Sequence, residues 1–212
     1  QYVVEELEAI GIKQILIITG QKKRAIEDHF DRDMELIRCL EEKGNYDLID
    51  ALVHEEYNVQ LFYTRQSEQK GTAHAISLAE NFAGGESFIV CLGDSIIRSQ
   101  QPGSLLKRLV ETHERRDSAV TIAFRPVIKE YISRYGIASP DSDFDYGTEF
   151  KLKDLVEKPS IDEAPSNLAI SARYVFSPKI FDAIRETPLN KGEYQITDSI
   201  RILMNKYDVW GV

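Results

Sequence analysis

The sequence predicts an α/β fold in which a mixed, mostly parallel sheet is flanked by helices. Three observations carry that expectation. Short apolar runs alternate with segments of helical period, as where Gln14-Ile15-Leu16-Ile17-Ile18-Thr19 is followed by Gly20 and a polar helical stretch. The run Phe88-Ile89-Val90-Cys91-Leu92 ends abruptly in Gly93-Asp94, as a strand buried on both faces inside a parallel sheet does. In the second half of the chain, strand-like segments separated by a turn-rich tract read as antiparallel insertions.

Taken in order, residues 2–10 place Val3, Val4, Leu7 and Ile10 at helical spacing, and Gly11 closes that helix. Residues 14–19 form a buried strand, Gly20 turns the chain, and residues 22–30 are helical. Residues 33–43 and 46–55 read as two amphipathic helices joined at Gly44-Asn45, a surface excursion. Residues 59–63 alternate as a strand, and a polar loop then runs into a helix at Thr72-Ala73-His74-Ala75. After the strand that ends at Asp94, residues 102–116 form an amphipathic helix with Pro102 where a first-turn proline is tolerated, and 119–124 an apolar strand. Segments 134–138 and 149–156 are strands about a loop at 141–147. A strand at 168–176, a short helix at 178–185 and a longer one at 194–206 complete the pattern, with no internal repeat.

With 42% hydrophobic and 29% charged residues, 212 residues are enough for one domain with a substantial core. The net charge of −9 argues against a nucleic-acid partner, because neutralising phosphates needs clustered Lys and Arg. Cys39 in a helix and Cys91 in a strand read as reduced core thiols of a cytoplasmic protein. No apolar run reaches the length of a membrane span, so no membrane partner is expected. The chain opens at Gln1 already in helical pattern, so a preceding segment is expected.

Candidate chemistry lies in a few short pieces. A carboxylate at a strand's carboxyl end, such as Asp94, can hold a divalent cation against a phosphate in the crevice where open α/β sheets bind ligands. Taken alone, a turn or N-cap aspartate is the simpler reading. Gly20 with Lys22, Lys23 and Arg24 invites a phosphate-loop reading, but its spacing fits neither G-x-G-x-x-G nor the Walker motif. Gln66 can donate and accept at once, as a uracil edge requires, and backbone amides after Gly71 can meet an anion or a base; a plain loop with Thr72 as N-cap is an equal alternative. His74 reads as a packed or hydrogen-bonded histidine rather than a base.

Glu157 and Lys158 precede Pro159, where the chain can turn both side chains toward one cleft. A glutamate can take two sugar hydroxyls while a lysine meets a phosphate, against the simpler reading of a surface ion pair worth ~0–1 kcal/mol. Asp198 is a second such carboxylate, explained equally as a charge favoured by a helix N-terminus.

Three further pieces complete the set: Gly20-Gln21-Lys22-Lys23-Arg24-Ala25-Ile26-Glu27-Asp28-His29-Phe30-Asp31, Tyr135-Gly136-Ile137, and Gly192-Glu193-Tyr194-Gln195-Ile196-Thr197-Asp198. Together and in this order the pieces resemble the sugar-1-phosphate nucleotidyltransferases, most closely the prokaryotic UTP:glucose-1-phosphate uridylyltransferases. The first of the three is the feature specific to the uridylyl branch. The resemblance implies a Rossmann-like nucleotide-diphospho-sugar transferase fold truncated at both ends. Residues 1–125 would be mainly its nucleotide-binding half, lacking the first strand and loop, and 126–212 mainly its sugar-phosphate half.

It also implies the site. Gln66, Gly71 and Thr72 would bind the nucleotide, and Gly136, Glu157 and Ala172 would line the sugar. Lys158 would meet the sugar phosphate, and Asp94 and Asp198 would hold Mg2+; Asp94, Lys158 and Asp198 would be catalytic. The implied reaction is in-line attack of glucose 1-phosphate on the α-phosphorus of UTP, giving UDP-glucose and pyrophosphate in a homo-oligomer. Three departures stand out: Ala172 replaces a glycine usual before Arg-Tyr, the G-x-G-T-R loop with its lysine is absent, and the chain stops early at Trp210-Gly211-Val212. Residues 1–212 alone are therefore expected to be an inactive fragment. The alternatives are a thymidylyl or other sugar-1-phosphate nucleotidyltransferase, or a non-catalytic sugar-nucleotide-binding homologue. The latter would lose a metal aspartate, whereas both are present. A nicotinamide dehydrogenase would need a dinucleotide fingerprint that is not here.

Overall fold

The computed structural model describes residues 1–31, 34–53, 57–99, 101–143, 145 and 147–212, with 50–53 described by their backbone. Helix α1 (Tyr2–Glu8) buries Val4 and Leu7, one helical turn apart. Strands β1 (Gln14–Thr19) and β2 (Gln60–Arg65) pair in parallel. Between them run α2 (Arg24–Phe30), α3 (Met34–Glu42) and α4 (Tyr46–Val53), the expected excursion. The expected start of the second of these at residue 33, and the expected end of the third at 54–55, lie outside the described residues. Along most of its length β1 is half-buried rather than buried.

Helices α5 (Thr72–Ser77) and α6 (Glu80–Ala83) lead to β3 (Phe88–Cys91), and α7 (Ser104–Arg115) leads to β4 (Val120–Pro126). A 3-10 turn over Lys129–Arg134 precedes β5 (Gly136–Pro140), which pairs antiparallel with β6 (Phe150–Glu157). Residues 144 and 146 of the loop between them lie outside the described residues. The chain ends with β7 (Leu168–Phe176), α8 (Ile180–Glu186), α9 (Ile196–Met204) and β8 (Val209–Gly211).

Six strands form one sheet in the order β3-β7-β4-β8-β6-β5. The mixed α/β architecture is the expected one, but this sheet is not mostly parallel. Only its β4–β8 pair is parallel; β3–β7, β4–β7, β5–β6, β5–β7 and β6–β8 run antiparallel. The cause is β7, which returns from the second half of the chain and inserts between β3 and β4, antiparallel to both. The same insertion corrects the expectation for Phe88–Cys91: β3 is half-buried, pairs antiparallel with β7, and among the described residues has no parallel neighbour. Strand β8 went unforeseen because three residues are too short to show a period. It sits between β4 and β6, where Gly211 admits the Phe150 ring; a Cβ there would lie 2.4 Å from that ring.

Neighbouring residues of the central strands point to opposite faces and so build two cores. Ile122, Tyr174 and Phe176 join Leu155, Ile180 and Ile200 on one face, beneath α8 and α9. Ala123 and Val175 join Leu7, Leu106 and Leu109 on the other, beneath α1 and α7. Each fully buried Ile, Leu or Phe among them contributes about 1.5–3 kcal/mol. Ile15 of β1 and Ile89 and Cys91 of β3 pack in that second core, so the two sheets meet through side chains. Burial pushes the Cys91 thiol up to about 12, leaving it unreactive at neutral pH.

Strand β7 carries a local distortion. Its register against β4 shifts between the Ile122–Tyr174 and Phe124–Ile170 pairs, and inside that bulge Ala172 has φ +55°. This left-handed backbone accounts physically for a glycine at this position. Replacing Ala172 by glycine relieves ~1–2 kcal/mol of strain, but forfeits a buried methyl worth about 0.8 kcal/mol and adds unfolded-state entropy worth about 0.4–1 kcal/mol. Ala172→Gly is therefore expected to fall within about 1 kcal/mol of neutral in denaturant unfolding, whereas Ala172→Val, β-branched at φ > 0, costs about 2 kcal/mol or more.

His113 of α7 is buried between the Ser87 and Thr121 hydroxyls, at 3.2 and 3.3 Å. Burial lowers its pKa below the ordinary 6.5, with Asp117 opposing and Lys179 assisting. The unfolded chain then takes up this proton before the native protein does. The contribution is present in full above the ordinary histidine pKa and is lost as pH falls below it. Between about pH 7.5 and 5.5 the urea midpoint should drop, and His113→Gln should flatten that part of the profile.

Candidate active site

Asp94 lies beyond the carboxyl end of β3, in an exposed turn closed by Ser95 N–H donating to Leu92 O at 3.3 Å. It caps no helix, since α7 begins ten residues later at Ser104 behind Gly103. Its carboxylate makes no hydrogen bond or ion pair among the described residues. The turn is anchored to β7, where Leu92 N–H donates to Ala172 O at 3.1 Å.

The Gln66 loop is built by contacts that sequence spacing does not reveal. Gln66 N–H extends the β1–β2 register by donating to Thr19 O at 2.8 Å. Its Nε2 donates to Gly71 O at 3.1 Å and meets His74 Nδ1 at 2.8 Å, so His74 is the hydrogen-bonded histidine that was expected. Both amide hydrogens of Gln66 are thereby used, and Oε1 is the atom left to accept. Gly71 has φ +93°, and a Cβ on it would fall 2.6 Å from Tyr194 O and 2.8 Å from Tyr194 N. Around that close approach Tyr194 N–H donates to Lys70 O at 2.8 Å and Ala73 N–H to Tyr194 O at 3.0 Å. Thr72 is not the N-cap; Gly71 is, and the Thr72 hydroxyl accepts from Ile196 N–H at 3.4 Å.

The stretch with the uridylyl-branch pattern packs beside this loop. Glu27 of α2 accepts from the Thr19 hydroxyl at 3.4 Å and from Arg65 at 3.2 Å, tying the helix to the carboxyl ends of β1 and β2. Gln21 donates to Ser67 O at 3.3 Å. Lys22, Lys23 and Arg24 are exposed.

Glu157 ends β6 opposite Gly136 of β5. Its Oε2 accepts from the Thr197 hydroxyl at 2.9 Å, while Lys158 Nζ stands 3.6 Å from Oε1. Consecutive strand residues normally point apart; here φ +45° at Lys158 swings its side chain to the side of Glu157. A Cβ on Gly136 would lie 2.7 Å from Ile170 Cδ1, 3.1 Å from Thr197 Cγ2 and 3.3 Å from Glu157 Oε2, so glycine is what lets these three converge. Beneath them Tyr174 is buried, and burial together with the Glu157 charge raises its hydroxyl pKa. Asp198 follows Thr197 in the first turn of α9, half-buried, and its carboxylate likewise has no partner among the described residues. It also borders a cavity of about 660 Å³ that runs along α9 past Asp154, Arg201 and Asn205.

The fold thus joins Gln66, Gly71 and Thr72 to the Tyr194–Ile196 segment, and that segment leads through Thr197 to Glu157, Lys158 and Gly136. The Asp94 turn is tied to β7 at Ala172, two residues along from Ile170, whose tip faces Gly136. Among the described residues no hydrogen bond or ion pair links Asp94 directly to Asp198. Among the described residues no group of three or more His, Cys, Asp or Glu side chains stands ready to hold a metal. Sequence reasoning missed Thr197 as the partner of Glu157 and Tyr194 as the seat of Gly71. It also missed Arg173, whose charge inside the apolar run of β7 was a visible signal.

The family model described as nucleotidyl transferase matches residues 1–211. UTP--glucose-1-phosphate uridylyltransferase 1 of Staphylococcus saprophyticus is 44% identical over 204 residues, covering 96% of this chain and 69% of that protein. The Staphylococcus epidermidis UTP--glucose-1-phosphate uridylyltransferase is 42% identical, covering 99% and 72%. Among solved structures, UTP-bound UGPase from Acinetobacter baumannii superposes with a TM-score of 0.89 at 32% identity, over 99% of this chain and 72% of that one. A UDP-glucose pyrophosphorylase complexed with UDP-glucose gives 0.84 at 31% identity, over 99% and 76%. The family match over residues 1–211 and the identity to these relatives over nearly the whole chain have one meaning: this chain belongs to the nucleotidyl transferase family.

Proposed function

We propose that the protein transfers the uridylyl group of UTP to glucose 1-phosphate, releasing pyrophosphate. The observation that supports this reading is the chain of contacts from the Gln66 loop through Tyr194 and Thr197 to Glu157 and Lys158, which links an amide able to read a base to a carboxylate able to take sugar hydroxyls. Gln66 Oε1 accepts the N3–H of uracil while Gly71 and His74 hold its amide nitrogen, and Thr72 supports the loop. Cytosine, with a lone pair at N3, has nothing to donate there. Glu157 takes two sugar hydroxyls, Gly136 keeps the pocket open beside it, and the Ala172 backbone lines the floor. Lys158 holds the sugar phosphate.

Asp94 and Asp198 are hard oxygen donors with no partner among the described residues, which fits Mg2+, an ion commonly bound by one or two carboxylates together with substrate phosphates and waters. When bound there, Mg2+ would neutralise charge on the triphosphate. The protein supplies no nucleophile, because the sugar phosphate oxygen attacks phosphorus itself; the residues orient it and offset charge. The same reading takes the protein as a cytoplasmic homo-oligomer. Two free thiols support a reducing compartment, and among the described residues no helix is long and apolar enough to cross a membrane.

Pyrophosphate release by the full-length protein across UTP, dTTP, CTP and ATP with several sugar phosphates tests the reading. UTP with glucose 1-phosphate should be the best pair. A preference for dTTP would favour the thymidylyl alternative, and silence with UTP would sink the proposal. Asp94→Asn and Asp198→Asn are each expected to lower kcat by roughly a hundredfold or more, with little change in melting temperature because neither carboxylate has a partner to lose. Gln66→Leu should cut kcat/KM for UTP by about tenfold or more while sparing KM for glucose 1-phosphate.

A further inference from the structure

We propose that Arg173 is the positioning residue of the Asp94 turn. Arg173 is fully buried in β7, a costly place for a cation. Glu6 of α1 partners it: its Oε2 accepts from Nε at 3.1 Å and from Nη2 at 2.8 Å. The remaining donors turn to backbone carbonyls. Nη1 donates to Ala172 O at 3.2 Å and to Leu92 O at 3.4 Å, and Nη2 donates to Ser95 O at 3.0 Å.

Leu92 and Ser95 bracket Gly93-Asp94, so one rigid guanidinium grips the turn on both sides of the carboxylate. Among the described residues the turn's other ties are two backbone hydrogen bonds, Leu92 N–H to Ala172 O and Ser95 N–H to Leu92 O. Asp94 is exposed with no side-chain partner there, and Gly93 has open space where a Cβ would be. A planar fork of five donors suits this task and a lysine ammonium does not. A buried ion pair adds little net stability compared with apolar packing, so its placement under this turn is the more telling feature. Glu6 is the counter-charge that keeps the fork flat and fixed, which makes α1 part of the support.

This inference rests on the reading of Asp94 given above, and its test separates the two. In the full-length protein, Glu6→Leu with Arg173→Met removes both charges together and leaves none stranded. Arg173→Lys keeps the charge without the fork. Amide hydrogen exchange, melting temperature and kinetics are measured on each. Expected in a cooperatively unfolding variant are exchange about tenfold or more faster in peptides covering residues 92–95, with β6 and α9 unchanged. In the same variant kcat should fall about tenfold or more and the half-saturating Mg2+ concentration should rise, with KM for glucose 1-phosphate unchanged.

A folded variant whose residues 92–95 exchange at the wild-type rate overturns the proposal, as does one with unaltered kcat and Mg2+ dependence beside an active wild type. Failure of both variants to unfold cooperatively also overturns it, because Arg173 then serves the fold as a whole. Faster exchange confined to residues 92–95 in a protein whose wild type makes no UDP-glucose would uphold the hold on the turn and reject the reaction.

Discussion

The close seating of Gly71 on the Tyr194 backbone is the constraint on which the site depends. The Gln66 loop follows β2 of the two-stranded sheet, whereas Glu157 ends a strand of the six-stranded sheet. Among the described residues no backbone ladder joins those sheets. What fixes the loop is a backbone-to-backbone contact that tolerates no Cβ, flanked by hydrogen bonds from Tyr194 to Lys70 and from Ala73 to Tyr194. Because both partners are main chain, nothing can swing aside to admit a side chain at residue 71. The contact therefore acts as a gauge between the Gln66 amide and the start of α9.

A second gauge operates around Glu157 with softer parts. Gly136 faces the tip of Ile170 and the Thr197 methyl, both side-chain atoms, and only then Glu157. A flexible Ile170 tip can shift by a few tenths of an ångström, so this position controls the shape of the pocket more than its existence. Thr197 reads both gauges at once: its neighbours Tyr194 and Ile196 hold the Gly71 turn, and its hydroxyl orients Glu157. A β-branched residue with restricted χ1 is well suited to that position.

Much of this architecture was legible locally. The bounds of β7 follow directly from the apolar run at 168–176, and the β5–β6 hairpin follows from its turn-rich loop. Pairing partners were not legible, because periodicity says which residues are buried and not against which strand. An apolar run such as Phe88–Cys91 looks the same whether its neighbour is parallel or antiparallel. The site shows the same division. Glu157-Lys158, Gln66 and the two aspartates stand out as chemical types, but the left-handed turn at Lys158 and the Thr197 contact come from residues far apart in sequence. Ala172 is the instructive case. Its departure from a usual glycine stands out in the sequence, and the structure adds a backbone reason, φ +55° in a bulge that also carries the Leu92 hydrogen bond.

The sparse acidic set has a consequence for the proposed reaction. Two carboxylates without a third ligand make a poor cage for a free divalent ion, and the strongly hydrated Mg2+ gives up its waters reluctantly. On the proposed reading the nucleotide brings the remaining oxygens, so metal and UTP bind as one unit and the acids need only be correctly placed. Placement then matters more than affinity. A carboxylate on an exposed turn would lose that placement to loop motion unless something below held the turn. A buried cation bonded to the carbonyls on both sides of Asp94 provides that hold without occupying the carboxylate itself. A direct salt bridge to Asp94 would fix it equally well but would consume the charge that the metal requires.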